Sequence, residues 1–427
     1  MKKFVVLLSF LSLFFISAVI LSYVLISFNF LNLKNKIYEN FPNIELRKYV
    51  FKKESFIEQF QNDYNVKFLP YTQFEELSFS KKKIIFSEEY YNNKNQKISI
   101  SYKSYGSFYI DIYKNDLILT DYQGEIYLVS NLSEKINSDL EIIKPTIVKT
   151  NLEVDRVLDT LIYKNKIFVS FKKKVNDCNT INISYANLES DTLLFEKLFN
   201  SEECKEDGAP GRMQFYIRNN EEGLLMSTAD GTHNKPSMNA QRDNSVYGKI
   251  LFIPFETSKK ILYFSKGHRV VQGLYTDLKM VISTEHGPRG GDEINIINEN
   301  GNYGWPLASL GEKYDFKYGQ KNISYIKDHK VNNFSEPIFS FIEGIGISEI
   351  IKLPKNFSIF YDNHFILSSL NGRSIYFLKF DDQFTKILTL EKVFVHNRIR
   401  DLKYFNKSRT LVLALEENGE LGFLKKK

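Results

Sequence analysis

The sequence predicts an all-β fold of the propeller kind, and three observations predict it. From about residue 107 onward the chain is a succession of short strand-like segments divided by tight Asn/Gly turns, many with the period of two that marks half-buried strands. No helical pattern intervenes, which argues against a parallel sheet with crossover helices and leaves a barrel, sandwich or propeller. A strand–turn–strand unit recurs about five or six times at spacings of roughly 40 to 60 residues, which suits four-stranded blades better than sandwiches of about 100 residues.

In chain order, residues 4–26 are uncharged and almost wholly apolar. As a helix rising about 1.5 Å per residue they are long enough for a hydrocarbon core of about 30 Å. The run exceeds the usual signal-peptide core of about 7–15 residues and lacks a small-residue cleavage site, so residues 1–30 are expected to be an uncleaved transmembrane signal anchor. Lys2 and Lys3 precede it and favour a cytoplasmic amino terminus, with the body outside the cytoplasm (the periplasmic face of the inner membrane in a bacterium); Lys34 and Lys36 weaken that bias. Residues 31–100 show no clean period and are expected to form a stem or cap, with a short helix around 55–64. The propeller is expected to occupy 101–427. Its strand pairs are FYIDIY with LILTDY and EIYLVS, the hairpin TLIYKNKIFVSF, LLMSTAD with GKILFIPF, MVISTE with DEINII, HFILSSLNGRSIYFLKF, and TLVLALEENGELGFL.

The 427 residues are 43% hydrophobic and 25% charged, an ordinary globular composition with no sign of disorder. The net charge of +6 comes from scattered lysines with only short runs at 81–83 and 172–174, a solvated surface rather than a nucleic-acid patch. The two cysteines, Cys178 and Cys204, either pair and stabilise one blade by a few kcal/mol or stay free. No CxxC or Cys/His spacing points to zinc or a thiol redox centre.

The densest motif is residues 283–306, STEHGPRGGDEINIINENGNYGWP. Gly287, Pro288, Gly290 and Gly291 interrupt a strand and turn the backbone sharply, and Asp292 and Glu293 follow at once. Carbonyls beside carboxylates on a tight loop suit a hard cation such as calcium; the plain alternative is an acidic turn between strands. The run resembles the signature of the quinone-dependent sugar dehydrogenases, the glucose/sorbosone dehydrogenase family, which reads EHGPxGGDEIN followed by NYGWP. The resemblance can be followed from about Gly211 to the end, and more loosely back to about residue 107. It implies a six-bladed β-propeller with pyrroloquinoline quinone over the axis at one face. It also implies a structural calcium held by the Glu293 carboxylate and the Tyr303 backbone. The carbonyls of Gly287 and Pro288 would hold a second calcium, a Lewis acid polarising the quinone.

Arg398-Ile399-Arg400-Asp401 resembles the family's RxRD segment, in which both arginines face the cofactor. Residues i and i+2 of a strand share a face, and two guanidiniums there are best matched by an anion such as a tricarboxylated quinone. The alternative is an edge strand with one arginine paired to Asp401. GHRVVQG at 267–273 resembles GHRNPQG, which gives Arg269 a cofactor contact, replaces an asparagine by Val270, and leaves His268 as a hydrogen-bonded structural residue.

Two further positions depart from the pattern. The family's base histidine, in HxxGR, is Gly208 in Gly208-Ala209-Pro210-Gly211-Arg212, although the base-orienting aspartate is present as Asp230. Loss of a placed base costs about 10²–10⁴ in rate. The cofactor-binding lysine of SLK is Asn371. His233, Asp207 or Glu206 are the candidate replacement bases. The expected function is therefore oxidation of an alcohol or aldose carbon by hydride transfer to bound quinone, with a small sugar or alcohol as substrate, the membrane as a partner through the amino-terminal helix, and no nucleic acid. The alternative is a non-catalytic propeller that binds a glycan or a partner protein.

Overall fold

The computed structural model describes residues 77–86, 107–205, 210–231, 237–277, 279–313 and 325–426. The expected anchor, the 55–64 helix and most of the expected stem lie outside these residues. Among the described residues no helix is long and apolar enough to cross a membrane.

Six antiparallel sheets make a six-bladed propeller. Blade 1 is Phe108–Tyr113, Asp116–Asp121, Ile126–Val129 and Thr146–Val148. Blade 2 is Arg156–Tyr163, Lys166–Val175, Cys178–Asn187 and Glu196–Asn200. Blade 3 is Met213–Arg218, Glu221–Ser227, Lys249–Pro254 and Leu262–Lys266, with Gly301–Asn302 added in parallel. Blade 4 is Val271–Thr276, Val281–Glu285, Asp292–Ile297 and Phe339–Phe341; blade 5 is Ile347–Lys352, Phe365–Ser369, Ser374–Phe380 and Ile387–Phe394. Blade 6 is Ile399–Phe405, Thr410–Leu415 and Glu420–Lys426, and its fourth strand comes from the other end of the chain: Leu77–Ile84 pairs antiparallel from Leu77↔Lys426 to Lys83↔Glu420. A segment in the range expected to be a stem thus closes the ring. Its period is obscured because Lys82 is buried, its ammonium bonded to Ser138 Oγ at 3.0 Å and to the Ser138 carbonyl.

The cores lie between adjacent blades, so most strands bury both faces and read as near-continuous apolar runs. The first strands of the six sheets touch one another in ring order. Polar side chains stitch that ring together: Asp111 accepts the Ile162 N–H of blade 2 at 2.6 Å, Asp159 the Met213 N–H of blade 3 at 2.8 Å, Asp292 the Ile347 N–H of blade 5 at 3.1 Å, and Asp401 the Ile110 N–H of blade 1 at 2.9 Å. Ser227 and Ser348 complete the pattern by donating to the carbonyls of Val271 and Ile399. Because strands alternate in direction, the start of each first strand and the turn between second and third strands fall at the same end of the axis. Arg212, Asp230, Arg269, residues 286–291, Asn371, Arg398 and Glu416 all occupy such positions.

Candidate functional site

Arg398 and Arg400 open the first strand of blade 6, and each donates its Nε to Glu416, at 2.8 and 2.7 Å. Burial by itself pushes the Glu416 carboxyl up, but Arg400 and Arg398 outweigh it and bring it down to about 2. Among the described residues the η nitrogens of both arginines have no partner, and the Arg398 side chain is 37% exposed. The pair is therefore fixed by one edge and offers the other. The alternative of an exposed edge strand with one arginine paired to Asp401 is met only in part: the strand is terminal in its sheet but buried at the axis, and Asp401 bonds Ile110 and lies 3.5 Å from Arg212.

Arg269 lies over the ring of Trp305 at 5.4 Å, and its backbone N–H donates to the Glu285 carboxylate. Its Nη1 donates to the carbonyls of His286 at 3.1 Å and Gly287 at 2.9 Å. His286 donates Nε2 to the Ile347 carbonyl at 2.6 Å, which places its proton on that nitrogen. Burial first, then Arg269, Arg400 and Arg398, hold its pKa down at about 3, so the ring is neutral. Three arginines thus act on one neutral imidazole. The sequence reading singled out the glycines and carboxylates around His286 but not the histidine, whose signal was its place between Glu285 and Gly287.

Asp230 is buried, and its Oδ2 accepts the Trp305 indole N–H at 2.8 Å. Its backbone N–H donates to the Arg269 carbonyl at 3.1 Å, so Asp230, Arg269 and Trp305 form one group. Glu206, Asp207, Gly208 and His233 lie outside the described residues. Asn371 is exposed on the rim and donates Nδ2 to the Gly344 carbonyl at 2.9 Å, while Val270 is half-buried.

In the calcium loop, Gly290 and Gly291 have φ of +73° and +69°, and a Cβ on either would collide with the backbone of Ile342 or Gly311. Glu293 faces Glu285 across the strand pair. Burial, then Glu285, pushes its pKa up to about 8. Asn295 donates Nδ2 to Glu293 at 3.3 Å, and its buried Oδ1 has no partner. Two facing carboxylates and an orphaned carbonyl oxygen suit a hard cation. Tyr303 lies beside them, stacked on His268 at 4.8 Å, and His268 bonds Ser265 and Glu285 as a buried structural residue. At the second expected position the Gly287 carbonyl already accepts Arg269, so a cation there has to displace that guanidinium. Among the described residues no group of three or more His, Cys, Asp or Glu side chains is arranged to hold a metal.

Beneath the arginines, a buried charge cluster fills the axis and escaped the sequence reading. Arg212 contacts Asp159 at 2.9 Å, Glu349 at 3.2 Å and Asp401 at 3.5 Å, and donates to the Arg400 carbonyl at 2.6 Å. Burial raises Asp111 to about 6 and Glu349 to about 7. Burial works against charge on Arg212 and Lys403, but the surrounding carboxylates hold both above their ordinary values. The available signal was a lone carboxylate in the inner strands of blades 1, 2, 5 and 6, as in FYIDIY. Cys178 and Cys204 form a disulfide at the same end, with Cα atoms 5.6 Å apart.

A family profile described as glucose/sorbosone dehydrogenase matches residues 110–423. Among curated proteins, the chain is 28% identical to an uncharacterized Synechocystis protein over 222 residues, 47% of this chain and 52% of that one. It is 33% identical to an aldose sugar dehydrogenase of Escherichia coli over 148 residues, 32% of this chain and 36% of that one. The matched segments thus span about half, or less, of these relatives. Among solved structures, a glucose dehydrogenase aligns at a TM-score of 0.60 and 20% identity, covering 75% of this chain and 96% of the other. The quinone-bound aldose sugar dehydrogenase of Streptomyces coelicolor aligns at 0.52 and 15%, covering 75% and 99%. These structural likenesses establish the fold.

Proposed function

The chain belongs to the glucose/sorbosone dehydrogenase family, and from that premise we propose that its arginine-lined end binds pyrroloquinoline quinone and oxidises an alcohol or aldose carbon. The observation that carries the reading is the guanidinium pair clamped through Nε by Glu416, with its η edges open beside the neutral His286. Arg398 and Arg400 bind carboxylates by that open edge, and Arg269, over Trp305, adds a third charge. When bound, the quinone supplies a two-electron hydride acceptor. Asp230, held by Trp305, is assigned the role of orienting the base. Calcium is proposed at Glu293, supported by the facing Glu285 and the orphaned Asn295 oxygen. At Gly287 and Pro288 it competes with Arg269. An extracytoplasmic, membrane-anchored location is supported by the apolar residues 4–26 and by the disulfide, a bond typical of oxidising compartments.

A second reading, a propeller that binds a glycan or partner protein without catalysis, is favoured by Gly208 and Asn371 in place of the base and the lysine. The experiment is to load the protein with quinone and calcium and follow reduction of an electron-accepting dye over a panel of aldoses and alcohols. Substrate-dependent dye reduction supports the dehydrogenase. Failure to take up quinone supports the binding module, and bound quinone with no reduction by any substrate counts against the dehydrogenase.

A further inference from the structure

Lys249 opens the third strand of blade 3 and is fully buried. Its ammonium donates to three backbone carbonyls, Asn239 at 2.8 Å, Ala240 at 3.0 Å and Tyr247 at 3.0 Å, one for each proton. All three belong to the long turn between second and third strands, and that turn touches both halves of the site. On one side, Ser237 Oγ and Asn239 Nδ2 donate to the Asp230 carbonyl at 3.1 and 3.0 Å. On the other, the Ala240 carbonyl accepts the Gly267 N–H at 3.1 Å, the Gly248 carbonyl accepts the His268 N–H at 3.1 Å, and Gln241 Nε2 donates to the Trp305 carbonyl at 2.6 Å. Ala240 also packs against Trp305.

We propose that Lys249 is the positioning residue of this pocket: its ammonium holds the loop carrying Asp230 in register with the loop carrying Arg269 and with Trp305, and losing its proton loosens that register. A neutral amine has two N–H groups and a lone pair for three carbonyls, so one carbonyl is left facing the lone pair. The groups acting on it are few. Burial, then Lys266, brings it down to about 8, while Asp243 and Glu203 pull the other way; the Tyr263 ring lies 5.8 Å from the ammonium. The inference rests on the functional reading only for the identity of the ligand.

Trp305 is the only tryptophan of the chain, so its emission reports the register in the full-length, ligand-free protein. Wild type is expected to show a sigmoidal emission change between about pH 7 and 9.5 with a midpoint near 8, and K249R, charged throughout this range, is expected to stay flat. Glu293 also reaches about 8, so E293Q serves as the control and retains the transition. A flat wild-type trace, or a K249R trace that follows wild type, overturns the proposal. If K249R fails to fold by circular dichroism, the Lys249 ¹³Cε resonance of the wild type, assigned by its absence in K249M, is followed instead. Titration near 8 in step with the emission supports the role, and an ordinary lysine value of about 10.4 overturns it. With pyrroloquinoline quinone added, affinity is expected to fall about tenfold across this range in wild type and not in K249R. The tryptophan transition without quinone binding in either protein sinks the quinone reading and leaves the role of Lys249 standing.

Discussion

Replacing Arg212 by methionine removes the one guanidinium that three buried carboxylates share. At an effective dielectric of about 20, contacts of 2.9, 3.2 and 3.5 Å are each worth about 5 kcal/mol of Coulomb attraction. Repulsion among the carboxylates and the several kcal/mol needed to desolvate each ion offset most of that sum, so breaking the cluster is expected to cost about 3–5 kcal/mol. The cost depends on pH in a fixed direction. Without Arg212 the folded-state pKa values of Asp159 and Glu349, already raised by burial, rise further. A carboxyl raised in the folded state penalises folding increasingly as pH climbs from its unfolded value near 4 to its folded value, so raising the folded value further adds penalty only above the wild-type one. R212M should therefore lose about 1–2 kcal/mol less at pH 5.5 than at pH 8. Equilibrium urea unfolding of wild type and R212M, followed by circular dichroism at both pH values, measures this. A loss below about 1 kcal/mol, or an equal loss at both pH values, refutes the view of the axis as a charge cluster held by Arg212.

The unmodified protein should itself be more stable in mild acid. Asp111 and Glu349 stand at about 6 and 7 when folded and near 4 when unfolded, so their contribution falls as pH rises from about 4 through 7. Glu416, held at about 2, acts oppositely, its stabilisation present above about 4 and lost below. Thermal unfolding should thus be highest near pH 5, and a melting temperature that rises from pH 5 to 8 contradicts it. Reducing the disulfide, which links residues 26 apart, should cost about 3 kcal/mol by loop entropy, read as a lower urea midpoint in reductant; no change shows that the bond is idle. Calcium at 100 times its dissociation constant should stabilise wild type by about 2.7 kcal/mol and E293Q not at all, whereas equal stabilisation of both places the ion elsewhere.

Most hairpins were legible because they pair two apolar strands across a tight Asn/Gly turn, and every expected pair is a strand pair of the propeller. The number of blades was not legible from periodicity, since long insertions such as residues 228–248 in blade 3 spoil the spacing; it came from the family resemblance. The closing strand was hidden by three consecutive lysines, one of them buried against Ser138. The arginines of the candidate site were legible as a motif, but Glu416 lies 18 residues from Arg398, and nothing local links them. The axis cluster was missed for the same reason: Asp111, Asp159, Arg212, Glu349, Asp401 and Lys403 come from five blades and meet only because the first strands form a ring.

Quinone binding by the arginine pair is measured by calorimetric titration of the protein with pyrroloquinoline quinone, with calcium present, at two salt concentrations, beside R398Q/R400Q. Wild type is expected to bind stoichiometrically with an affinity that weakens with salt, and the double variant to lose about 100-fold or more, since each charge-assisted bond is worth about 1.5–3 kcal/mol. Absence of binding to wild type, or equal binding by the double variant, contradicts that expectation.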